Sequence, residues 1–170
     1  MHKKVLSELA VYHGTIDMPH GFEIDRERLT QDIILQNVFK KKDFPFSKAW
    51  DMLNTYVLDY SQLRHKLRIK NIKTWGDFYH INQSSPPFKH ENLMDLKNSP
   101  DLVFLYGVEL VKNSTSIRII FDDNKNKDRV RDIPLNNNEF LMFPASYTYY
   151  VSPNKSDGLN FIQTILYEQI

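Results

Sequence analysis

The sequence predicts a mainly β, α+β protein: an antiparallel sandwich or jelly roll with an N-terminal helical layer packed on one sheet. Three observations predict it. The first third carries apolar residues at helical spacing, the remainder carries short β-rich runs between polar turns, and the two patterns are segregated along the chain. Between Ile24 and Phe39, the residues Leu29, Ile33, Ile34 and Val38 keep one helical face apolar. A second helix follows Pro45, capped by the Ser47 hydroxyl, and its stripe of Trp50, Leu53, Val57, Tyr60, Leu63 and Leu67 at spacings of three and four reads as core. From Ile72 the period shortens. Strands are expected over Ile72 to Asn82, Leu102 to Val111, Thr115 to Phe121, Arg129 to Ile133, Glu139 to Phe143, Tyr147 to Ser152 and Leu159 to Glu168. The acidic, Asn- and Lys-rich run Asp122 to Asp128 and the triplet Asn136-Asn137-Asn138 read as turns. The polar, Pro-containing segment Gln83 to Pro100 is long enough to be a mouth loop.

At 170 residues, with 41% hydrophobic and 25% charged, the composition is that of a soluble protein. It predicts a single jelly-roll domain over 1–170, with 1–71 the helical layer and 72–170 the β-sandwich. There are no cysteines, which removes disulfides, thiolate zinc sites and cysteine nucleophiles together. Transition-metal chemistry would fall to His2, His13, His20, His65, His80 and His90. A net charge of +1 gives no global pull toward nucleic acid or an acidic membrane. The opening Met1-His2-Lys3-Lys4-Val5-Leu6-Ser7-Glu8-Leu9 lacks the apolar centre of a secretory signal, and no long apolar run follows, so the expectation is a protein that is neither secreted nor membrane-spanning.

The run Phe143-Pro144-Ala145-Ser146-Tyr147-Thr148-Tyr149-Tyr150-Val151-Ser152-Pro153-Asn154-Lys155-Ser156-Asp157 resembles a signature of the 2-oxoglutarate and iron(II)-dependent oxygenases of marine phages and bacteria, the prolyl-hydroxylase-like group. There a strand ends in Phe-Pro-Ser, presents the distal iron-binding histidine, and continues as Val-x-Pro-Asn-x-Ser-Asp. The stretch Ser99 to Val108 resembles the strand after that family's His-x-Asp or His-x-His motif. The resemblance covers about the last 75 residues and implies a double-stranded β-helix.

It also implies a facial triad of two histidines and a carboxylate, with open positions on iron for 2-oxoglutarate and oxygen. The sequence does not supply one in register. The distal-histidine position falls on Tyr149, and an ungapped alignment puts the first two ligands at Leu96 and Asn98. A gapped one offers His90 and Asn92, the only metal candidates. The basic residue that would pair with the cosubstrate carboxylate falls on Asn160, whose amide cannot replace a guanidinium charge. Tyr149, Asn160, Asn98 and Leu96 are thus expected as degenerate pocket positions, with no catalytic residue and no cofactor.

Other constellations read blandly. Arg64, His65, Lys66, Arg68, Lys70 and Lys73, with Lys40-Lys41-Lys42 before them, fit a helix C-terminus running into an edge strand better than a nucleic-acid interface. Tyr147, Tyr149 and Tyr150 fit a plug of the former pocket. The leading expectation is a catalytically inactive, oxygenase-like jelly roll that serves as a structural or interaction module, a phage virion or assembly protein found in the virion or host cytoplasm. Its partners would be virion components or further copies of itself. The alternatives are an active iron(II) and 2-oxoglutarate hydroxylase with atypical ligands, and a metal-independent, cupin-like small-molecule binder using Tyr149, Asn160 and the His90 loop.

Overall fold

Two capped helices precede most of the strands, as the apolar pattern requires. The computed structural model describes residues 10–40, 44–120 and 130–170. Helix α1 (Arg26–Val38) starts where the Asp25 side chain accepts a hydrogen bond from the Arg28 amide at 3.0 Å. Helix α2 (Lys48–His65) starts at Ser47, whose hydroxyl accepts from the Trp50 amide at 3.4 Å and donates to the buried carboxylate of Asp32 on α1. One residue therefore caps α2 and ties it to α1. The second helix ends on Lys66, a left-handed residue with φ 55°.

The apolar stripes are narrower than expected. Leu29 and Ile33 are buried while Ile34 and Val38 are exposed, so only one turn of α1 packs inward. On α2, Trp50, Leu53 and Val57 are buried, but Leu63 is 80% exposed and Leu67 lies beyond the helix end. The inner face of α2 stays on the sheet to its last turn, where Ser61 is fully buried against Met142 and Tyr60 packs edge-on to Phe140 at 5.2 Å; Leu63 lies off that face.

The strands are β1 (Tyr12–Thr15), β2 (Ile69–Tyr79), β3 (Leu102–Glu109), β4 (Ser116–Ile120), β5 (Val130–Pro134), β6 (Glu139–Pro144), β7 (Thr148–Val151) and β8 (Asn160–Gln169). They form a five-stranded sheet in the order β1-β6-β3-β8-β2 and a three-stranded sheet in the order β5-β4-β7, with every strand pair antiparallel. The seven expected strands are all present. Sequence reading missed β1, four residues with alternating burial and a glycine at its centre, and started β2 three residues late. The expected turn Asp122 to Asp128 lies outside the described residues, as do His2, Lys41 and Lys42.

Strand alternation divides the core into two layers. Phe104, Tyr106, Phe140, Met142, Phe161 and Ile165 face the helices. Val103, Leu105, Leu141, Phe143, Ile162 and Leu166, from the same strands, face the small sheet and meet Ile117, Ile119, Tyr149 and Val151. The helical layer sits close to β2 because of Gly76: a Cβ there would lie 2.2 Å from Ile33 Cγ1. Gln36 and Asn37 of α1 bond the Gly76 amide and carbonyl at 3.0 and 2.9 Å, covering part of an otherwise open sheet edge.

Candidate functional site

The sandwich interior near the start of β7 is built from three segments. Beyond β7, Ser85 to Phe88 extends the small sheet: Phe88 bridges Tyr149 through amide bonds of 2.7 and 3.0 Å, and the Ser85 hydroxyl accepts from the Val151 amide at 2.8 Å. The expected mouth loop thus begins as an extended strand-like segment. From the far side, β2 points Trp75, Asp77 and Tyr79 toward the same space by strict alternation. The third segment is β7 with the residue before it: Tyr147, Tyr149 and Val151 face inward.

Two residues past Phe88, the His90 ring enters this space, half-buried, with Nε2 2.7 Å from the Tyr149 hydroxyl. Its ring centroid lies 5.4 Å from Trp75, 5.8 Å from Phe88 and 5.5 Å from Tyr149, and Phe143 meets Tyr149 edge-on at 5.1 Å. Burial, with the Lys73 ammonium as a lesser cause, pushes the imidazole down to about 4. Burial also pushes the Tyr149 phenol far above its usual range. Both rings are therefore neutral at pH 7. Donation from the phenol to Nε2 is the arrangement that leaves no buried phenol proton without an acceptor. Asp77 is raised by desolvation, its Oδ2 held by the Trp75 indole N–H at 3.0 Å.

The expected positions separate into two groups. Tyr149 and His90 are brought together, and Asn160 lies at the head of β8, fully buried. Its Oδ1 accepts from the Val111 amide at 3.0 Å and its Nδ2 donates to the Ser114 hydroxyl at 2.8 Å, so both ends of the amide are engaged in holding the loop after β3. Leu96 and Asn98 stand elsewhere, on an exposed 3₁₀ turn, with Asn98 bonded to Asp95 at 2.8 Å. That places the ungapped register outside the sandwich, where the intervening loop of Glu91 to Ser99 had to be skipped. Asn92 is exposed too, its Oδ1 accepting from the Met94 amide at 3.0 Å in a local turn. Sequence reading missed Trp75, Asp77 and Tyr79, although their spacing of two on one strand was the available signal.

This donor set does not match two imidazoles and a carboxylate around one ion. The one imidazole is hydrogen-bonded to a phenol, the amide two residues on is folded into its own turn, and among the described residues no group of three or more His, Asp or Glu is placed to hold a metal. Nor does a cation stand at Asn160 to meet a carboxylate.

The basic residues lie where helix and edge strand meet. Lys70 pairs with Glu168 at 2.8 Å, and Lys73 lies over the Trp75 ring at 5.3 Å. No described helix is long and apolar enough to cross a membrane.

No protein-family model matches the chain, and no curated protein matches it in sequence. Solved structures do match in fold. The viral collagen prolyl hydroxylase of Paramecium bursaria Chlorella virus-1 is 11% identical, with 94% of this chain and 96% of that one covered and a TM-score of 0.65. A Pseudomonas putida prolyl-4-hydroxylase is 10% identical over 94% and 88% of the two chains, with a TM-score of 0.65. The non-heme α-ketoglutarate-dependent epimerase SnoN from nogalamycin biosynthesis is 9% identical over 92% and 76%, with a TM-score of 0.68. Identity this low speaks for architecture alone, and on that ground the chain has the double-stranded β-helix fold of the 2-oxoglutarate and iron(II)-dependent oxygenases.

Proposed function

We propose that this chain is a catalytically inactive, oxygenase-like jelly roll that works as a structural or interaction module. One observation carries the reading. The side chains at the expected ligand and cosubstrate positions are engaged by the chain itself: Tyr149 with His90, and Asn160 with Val111 and Ser114. Buried polar groups satisfied in this way stabilise the fold, and the His90 Nε2 lone pair is taken by the Tyr149 phenol. A phage or virion setting is the finer form of the proposal. Its support is the fold likeness to a viral prolyl hydroxylase over nearly the whole of both chains.

Anaerobic calorimetric titration with iron(II) and 2-oxoglutarate, followed by a succinate assay in air, tests the reading. The expected result is no mutually dependent binding and no succinate above a protein-free control. Tight binding of 2-oxoglutarate that requires iron, or catalytic succinate release, overturns it in favour of an active hydroxylase. For the module role, light scattering and co-purification from the native host are the test. A strict monomer at high concentration with no partner counts against it.

A further inference from the structure

Beside α2, on the helical side of the large sheet and away from the sandwich interior, runs a groove of about 900 Å³ between the helix and the segment Thr15–Met18. Its floor is apolar and aromatic. Met18, Met52, Tyr56 and Tyr60 are half-buried, and the two tyrosines stack with centroids 6.0 Å apart. Leu63 continues this floor toward the helix end at 80% exposure, a large side chain that the fold itself does not cover. The volume is at the upper end of what small-ligand pockets span, roughly 300–1,000 Å³, and suits a few side chains of a peptide.

The charges along it are asymmetric. Asp17, Asp51 and Asp59 line the groove, all exposed, and no ion pair engages any of them among the described residues. The two basic groups, Lys48 and Arg64, belong to the first and last turns of α2 and so flank the carboxylates. Asp51 and Asp59 are two turns apart on the helix, and Asp17 lines the opposite wall. At the Arg64 end, His65 packs against Tyr12 and Tyr60 and keeps its Nε2 buried without a hydrogen-bond partner. Carboxylates above electron-rich ring faces are the recognition chemistry of a lysine or arginine side chain, and methionines beside them adapt to apolar neighbours of varied shape.

We propose that this groove is a docking site for a basic, amphipathic peptide segment of a partner protein. Apolar side chains would cover Met18, Met52 and Leu63 while lysine or arginine side chains meet Asp17, Asp51 and Asp59 across the tyrosine pair. The inference is independent of whether the sandwich holds iron chemistry, since the two places share no residue.

Selection of a displayed random peptide library on the full chain tests it. Enriched sequences are expected to interleave Lys or Arg with Leu, Ile, Met or aromatic residues. A fluorescein-labelled peptide of the enriched class should bind about tenfold more weakly to the D51K/D59K double variant and to Leu63→Ser, with affinity falling as salt rises. Arg131→Glu, on the opposite sheet, should leave binding unchanged. Thermal melts matching the parent chain exclude misfolding as the cause. Enrichment of acidic or charge-neutral peptides overturns the proposal, as does affinity indifferent to the groove variants or the absence of any enrichment. Sedimentation showing that a second copy fills the groove, with D51K/D59K breaking the dimer, also overturns it.

Discussion

The sandwich interior around Tyr149 and the groove beside α2 both bring tyrosines and carboxylates together. They differ in what happens to the polar atoms. In the interior, the Tyr149 hydroxyl meets His90, the Asp77 carboxylate meets the Trp75 indole, and both ends of the Asn160 amide are engaged. In the groove, three carboxylates have no ion partner among the described residues and Leu63 is 80% exposed. Buried polar groups are costly unless paired, whereas exposed ones are free to wait for a ligand. The comparison therefore points to the interior as a place that holds the fold together and to the groove as a place that meets other molecules.

The largest expected effect tests the interior. Tyr149→Ala removes a fully packed ring and should destabilise the protein by about 3–5 kcal/mol in chemical denaturation. Tyr149→Phe keeps the ring but leaves the buried His90 nitrogen without its partner, at a cost of about 1–2 kcal/mol. If Tyr149→Ala were nearly neutral and gained affinity for 2-oxoglutarate or an aromatic ligand, the ring would be a pocket wall and the contrast with the groove would fail. Gly76→Ala belongs to the same tier. Its methyl would press on Ile33 at the α1 contact and should cost about 1–3 kcal/mol, an effect of backbone approach unrelated to the interior around Tyr149 or to the groove.

Much of this fold was legible in the sequence because the chemistry is local. Ser47 followed by Trp50 and Leu53 marks a capped amphipathic helix, and the buried strands β3, β6 and β8 are short runs rich in aliphatic and aromatic residues bounded by polar turns. Strand β1 was not legible, since four residues centred on Gly14 gain their identity only by pairing with β6. Leu63 reads as core because a stripe at spacings of three and four drifts around the helix, away from the buried face of Trp50, Leu53, Val57 and Ser61. The candidate site was legible in part. Tyr149 and Asn160 follow from one continuous stretch of chain, whereas His90 reaches Tyr149 only because Ser85 to Phe88 joins the small sheet, a pairing between segments about sixty residues apart in sequence. The loop of Glu91 to Ser99 then absorbs the residues that made an ungapped count land on Leu96 and Asn98.

Acid provides a graded test of the interior. His90 titrates near 6.5 when unfolded and at about 4 in the fold, so the folded state binds fewer protons between those values. The stability contributed by neutral His90 is fully present above pH 6.5 and should be lost as the pH falls toward 4. Asp77 acts in the opposite sense: its folded carboxyl is raised by burial, so the cost of keeping it ionised is relieved as acid protonates it. Denaturation midpoints measured across this range should therefore fall with decreasing pH in the parent chain, and fall less in His90→Phe. A flat difference between the two would mean that burial, with the Lys73 ammonium beside it, does not hold the imidazole neutral.

The smallest expected effect on stability belongs to the groove, and its smallness carries the contrast. Asp51 and Asp59 are exposed, and among the described residues no ion pair fixes them, so reversing both charges breaks no ion pair there. Surface substitutions of this kind stay within about 0.5 kcal/mol each. Near the helix ends the outcome is set by the macrodipole: Asp51 sits in the first turn of α2, where its negative charge is favourable, so Asp51→Lys should cost slightly more than Asp59→Lys. Matched denaturation curves for the two single variants would show that ordering. If Asp59→Lys instead destabilised the chain by as much as Tyr149→Phe, the carboxylates of the groove would be part of the fold in the same way as the hydroxyl of the interior. The interior and the groove would then no longer differ in kind.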